Sequence, residues 1–83
     1  MKLLPITQRM LEKYEDAKTA ALQDSDGLSM VHYNRMLVDF AVDAGFALDV
    51  PKNLDELYPY EVIKLTEEIV LHVAAAKAPP DPN

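Results

Sequence analysis

The sequence predicts an all-α fold: a small bundle of three main helices, at about 7–23, 30–44 and 59–76, with a short helical turn near 54–57. Three observations lead there. Apolar residues recur at spacings of three and four through most of the chain, which places them on one face of a helix. Residues that start and stop helices stand at the edges of those segments. No segment longer than a few residues alternates with the period of a strand, "FALDV" (46–50) being the single candidate, and there is no internal repeat.

Taken in order, residues 1–5 read as a short lead-in. Ile6, Met10, Tyr14, Ala17 and Ala21 then form one stripe, Thr7 is an N-cap candidate, and Glu12, Lys13, Asp16 and Lys18 occupy the opposite face. The alanines late in this stripe allow another helix to approach closely. Ser29 is the cap expected for the second helix. Met30, Tyr33, Leu37, Phe40, Ala41 and Ala44 make its main stripe and Val31, Val38 and Val42 an adjacent one, so this helix is expected to be central. Gly45 stands where a left-handed residue ends a helix, and Phe46 where it can fold back on the last turn. Residues 46–52 contain Pro51 and read as an extended linker whose apolar side chains pack down. Asn53 to Glu56 has the form of a capping box that opens a short turn. Pro59 suits the first position of the last helix and Glu61 its first turn. Val62, Leu65, Ile69, Val73 and Ala76 form the inner stripe, widened by Ile63, Val70 and Leu71. Residues 1–77 therefore read as a single helical domain, and 78–83, with three prolines in a polar context, as a flexible tail.

At 83 residues one core is expected, burying about 60–65% of the unfolded chain's surface, with no room for a large cofactor cavity. Absence of cysteine leaves no disulfide framework or thiolate zinc site and suits a reducing, cytoplasmic setting. No signal peptide is read in the first residues, and no run approaches the ~18 apolar residues of a membrane span. A net charge of −6 argues against direct nucleic-acid binding, which needs basic side chains at the phosphates.

The stretch "QDSDGLS" (23–29) is the one place that resembles a metal loop. A calcium-binding EF-hand loop needs glycine at its sixth position and glutamate at its twelfth. With Gly27 sixth, the first and twelfth residues are Leu22 and Tyr33; with Asp24 first, the sixth and twelfth are Ser29 and Arg35. Neither register supplies the carboxylates, so Asp24 to Gly27 reads as a helix-ending turn. His32 and His72 lack metal-binding spacing. Ser25 and Ser29 sit in no nucleophile context. Two glycines in the chain cannot build a phosphate cradle, and the pairs Asp55–Glu56 and Glu67–Glu68 read as helix surface. The expectation is a protein that is not an enzyme and uses no cofactor and no metal.

Protein–protein contact is the remaining class. The candidate interface is Val31, Val38, Val42, Tyr58, Tyr60 and Ile63: a second apolar stripe on a helix and two tyrosines flanking Pro59 at a helix entrance. Each also has a plain packing explanation, in a central helix or a packed corner.

Residues 37–73 carry the rhythm "L-D-E-L-x-P-x-E-V-x-x-L-x-x-E-I", here Leu54, Asp55, Glu56, Leu57, Pro59, Glu61, Val62, Leu65, Glu68 and Ile69. This segment resembles the small tail assembly chaperones of long-tailed bacteriophages. The resemblance implies a non-catalytic helical protein of the infected host's cytoplasm that shields the helix-rich tape-measure protein until tail tube subunits polymerise around it. Self-association is also open. A competing expectation is a small acidic inhibitor that mimics nucleic acid toward a host or defence protein. Its candidate surface is Asp39, Asp43, Asp49, Asp55 and Glu56, and its mark is one continuous acidic stripe.

Overall fold

The structure, a computed structural model, describes residues 1–23 and 29–78. The proposed turn at Asp24–Gly27 and the tail beyond residue 78 lie outside the described residues. Three helices form the body: α1 (Gln8–Gln23), α2 (Met30–Ala44) and α3 (Pro59–Lys77). The all-α expectation holds, with a short 3-10 turn at Leu54–Glu56. One pairing was not foreseen. The lead-in supplies a two-residue strand, β1 (Lys2–Leu3), antiparallel to β2 (Ala47–Leu48), with Lys2 opposite Leu48 and Leu3 opposite Ala47. The second strand lies inside the "FALDV" segment.

Local chemistry sets the helix ends. Thr7 Oγ1 accepts the Met10 N–H at 3.3 Å and opens α1. Ser29 is extended (φ −74°, ψ 153°), and its Oγ accepts the His32 N–H at 3.1 Å, satisfying a donor the helix leaves free. Gly45 closes α2 at φ +95°, a region in which a Cβ would meet its own backbone. At α3 the Glu61 carboxylate reaches back to accept the Tyr58 N–H at 3.0 Å, with Pro59 at the first helical position. The capping box expected at Asn53 is corrected: its side chain makes no cap bond. The turn is closed by backbone alone, Glu56 N–H to Asn53 carbonyl at 3.3 Å and Leu57 N–H to Leu54 carbonyl at 3.2 Å. A single 3-10 turn with backbone closure offers a side-chain cap little to complete.

Helix α2 is central and packs on both neighbours. It runs antiparallel to α1, whose Met10 lies against Gly45 at the far end of α2. It runs in broadly the same sense as α3. The Thr66 hydroxyl lies 2.9 Å from the Asn34 carbonyl near the starts of both helices, while Phe46, just past α2, meets the His72 ring at 6.1 Å. Residues 45–58 therefore carry the chain back along the bundle. Their apolar side chains pack down as expected: Phe46, Ala47 and Leu54 are buried in the core with Tyr14, Val38, Ala41, Ile69 and Val73. Phe46 packs edge-on against Tyr14 at 5.6 Å and 67°, an arrangement the ring quadrupoles favour.

Two polar ties close the bundle. His72 Nε2 meets the Leu4 carbonyl at 2.7 Å, joining α3 to the N-terminal segment. Glu15 on α1 pairs with Lys77 in the last turn of α3 and with Lys18 at 3.4 Å. The Lys77 ammonium, aided by Lys18 and opposed by partial burial, holds the Glu15 carboxyl below its ordinary range. Burial, reinforced by the negative Glu15, pushes the Tyr14 phenol up to about 12.

Candidate interaction surface

The surface is set by what α3 buries and what it leaves out. Its inward face is Thr66, Ile69 and Val73. Ile63, Val70 and Leu71 do not widen that face as expected; they stand exposed beside it, at 39%, 47% and 71%. The Thr66 hydroxyl sits 2.9 Å from the carbonyls of both Asn34 and Val62. A threonine so bonded can occupy a buried position, and the Ile63–Val70–Leu71 side stands outward of the face formed by Thr66, Ile69 and Val73.

On α2 the adjacent stripe divides. Val38 is fully buried in the core cluster and is withdrawn from the candidate interface. Val31 and Val42, on the same stripe, are exposed. Tyr58 and Tyr60 are exposed and stacked on each other, ring centroids 6.0 Å apart and planes within 8°. Pro59 between them fixes the backbone that presents both rings.

Two depressions lie along the α2–α3 seam. A cleft of about 270 Å³ opens at the start of both helices, between Val31 and Arg35 on one side and Pro59, Val62 and Ile63 on the other, with Leu54 and Leu57 at its end. A shallower, mainly apolar groove of about 560 Å³ continues past Tyr33 and Leu37 on α2 and Glu67, Val70 and Leu71 on α3. Asn34 and Ile63 line both, so the two form one trough. Val70 and Leu71 were absent from the predicted interface. Their spacing from Ile63 was visible in the sequence, but the periodicity does not say which flank of a wide stripe faces the core.

The candidate acidic residues Asp39, Asp43, Asp49, Asp55 and Glu56 are all exposed. Asp39, Asp43 and Asp55 share one neighbourhood. Desolvation, and then the charges of Asp43 and Asp55, raise the Asp39 carboxyl against the opposing pull of Arg35 and His32. Arg35 sits inside this group and pairs with Asp55, tying α2 to the 3-10 turn. Asp49 follows β2 in the left-handed region, at φ 57°. Neither Asp49 nor Glu56 has an ion pair among the described residues.

His32 lies exposed in the first turn of α2, whereas His72 is committed to the Leu4 carbonyl. Among the described residues no group of three or more histidine and carboxylate side chains could hold a metal ion. No helix among them is long and apolar enough to cross a membrane. None of the family models, curated proteins or solved structures compared with this chain matches it.

Proposed function

We propose that this chain is a non-catalytic protein–protein interaction module that lays an apolar face against a helical stretch of a partner protein. The observation that carries the reading is the second apolar side of α3, Ile63, Val70 and Leu71, exposed beside a separate buried face. A helix with two apolar sides and one core to fill has a side left for something else. The stacked pair Tyr58–Tyr60 supports the same reading: rigid, amphipathic rings lose little freedom on binding. The resemblance of residues 37–73 to phage tail assembly chaperones supplies the partner. On that reading the client is the tape-measure protein in the host cytoplasm, and the chain covers its apolar helical stripes. The acidic surface keeps the module soluble while it does so.

The proximity of Asp39, Asp43 and Asp55 favours a second reading, an acidic inhibitor that copies nucleic-acid charge. Arg35 and its ion pair with Asp55 interrupt that surface, and the apolar reading is preferred. A tagged pull-down from the native source, with and without ~0.5 M salt, separates them, because salt at that level screens exposed charge pairs and spares apolar contacts. A long tail protein retained at high salt supports the module as proposed. A nucleic-acid-binding enzyme released by salt sinks it in favour of mimicry.

A further inference from the structure

We infer that the trough along the α2–α3 seam is the binding site for a single amphipathic helix whose apolar stripe is flanked by a lysine or arginine that pairs with Glu67. The inference rests on the reading of the chain as an interaction module and names where and what it binds.

The dimensions select a helix. From Pro59 to Leu71 the α3 wall rises twelve residues, about 18 Å, or a little over three helical turns. The groove is open along this length, so a small molecule would leave much of its surface in water, where ligand sites enclose most of it. An added strand needs an unpaired sheet edge, and the walls here are two helices that present side chains rather than free backbone. The wall residues Ile63, Glu67, Val70 and Leu71 fall at i, i+4, i+7 and i+8, with Tyr33 and Leu37 on the floor. A partner helix places residues into such a row at the same spacings.

The charge selects a basic partner. Glu67 lines the apolar groove and has no ion pair among the described residues. An apolar occupant would strip water from that carboxylate, which costs unless an opposite charge meets it. A second copy of this chain would do the reverse. A two-fold contact between troughs would bring together two subunits each carrying a net charge of −6, and would place two Glu67 carboxylates in one apolar seam.

The test uses blocked, fluorescein-labelled helical peptides of about 14 residues, ~21 Å long. They carry leucines at i, i+3, i+4, i+7 and i+8 and either lysines or glutamates beside that stripe. Anisotropy titrations with the full chain at low salt measure affinity. The lysine peptide is expected to bind at least ~tenfold more tightly than the glutamate peptide. Glu67→Lys is expected to reverse that order, and Leu71→Asp to weaken both, with circular dichroism confirming that each variant is folded. Equal binding of the two peptides, no binding of the lysine peptide, or indifference to Glu67→Lys would overturn the assignment. A dimer dissolved by Leu71→Asp, with no peptide bound, would give the trough to a second copy and overturn it likewise. If the peptide fails while a client survives ~0.5 M salt, the trough assignment falls and the module stands. If the peptide binds but no tail protein is retained, the tape-measure client falls instead and the trough assignment stands.

Discussion

Replacing Phe46 tests whether the return segment is part of the core. Phe46 is fully buried, meets Tyr14 edge-on at 5.6 Å and lies 6.1 Å from the His72 ring. Phe46→Ala removes a buried ring and leaves a cavity, a change that costs about 3–5 kcal/mol. The edge-on contact, worth about 0.5–1.5 kcal/mol, is contained in that figure. For a chain of 83 residues the total stability is roughly 4–12 kcal/mol, at ~0.05–0.15 kcal/mol per residue. The variant therefore loses from about a quarter to all of its stability, and where the total is at the low end of its range the variant is unfolded at room temperature. Phe46→Leu keeps most of the volume and should cost about 1–1.5 kcal/mol, a drop in Tm of roughly 5–10 °C. Urea and thermal unfolding followed by circular dichroism measure both. A cost below about 1 kcal/mol for Phe46→Ala would refute the reasoning, because it would mean that residues 45–58 lie over the bundle rather than in it.

Three further predictions follow from the helix ends and the buried phenol. Gly45→Ala should destabilise by about 1–2 kcal/mol in the same assay through backbone strain at φ +95°; the nearest atom to the new Cβ, Met10 Cε at 3.8 Å, is at ordinary contact distance and adds nothing. Ser29→Ala should cost about 1 kcal/mol by freeing the His32 N–H, whereas Asn53→Ala, at a turn with no side-chain cap, should be close to neutral. Tyr14 ionises less readily folded than unfolded, its pKa being pushed from 10.0 up to about 12. Its contribution is thus fully present below pH 10 and lost as pH rises toward 12; Tyr14→Phe should remove this alkaline loss from a stability–pH profile, and an unchanged profile would contradict it.

Much of this architecture is legible in the sequence, because local chemistry fixes it. Ser29, Gly45 and Pro59 mark ends of α2 and α3 that the structure places at the same residues. What was not legible depends on tertiary choices. Two residues of strand at Lys2–Leu3 carry no periodic signal, and they pair only because residues 45–58 bring Ala47–Leu48 beside them. The cap at Asn53 looked as good as any on paper, yet the box-like contact formed at Tyr58 and Glu61, where a full helix leaves several N–H groups free. Val38 and Val42 belong to one stripe, and only the tertiary packing around α2 makes the first core and the second surface. On α3 the polar Thr66 takes an inward position because its hydroxyl finds carbonyl partners on both helices, and Leu71, two residues from both Ile69 and Val73, faces away from their side. The exposure of Val70 and Leu71 was not legible for that reason.

The most direct test of the central claim compares client retention, at low salt and again at ~0.5 M salt, by three folded proteins: the native chain, Val70→Asp/Leu71→Asp and Asp39→Asn/Asp43→Asn. The first pair of substitutions places charge on the exposed side of α3, and the second removes charge from the acidic group on α2. Loss of the client with the α3 variant and its retention with the α2 variant is the predicted result. Retention by the α3 variant and loss by the α2 variant would contradict the account and move the binding surface to the carboxylates.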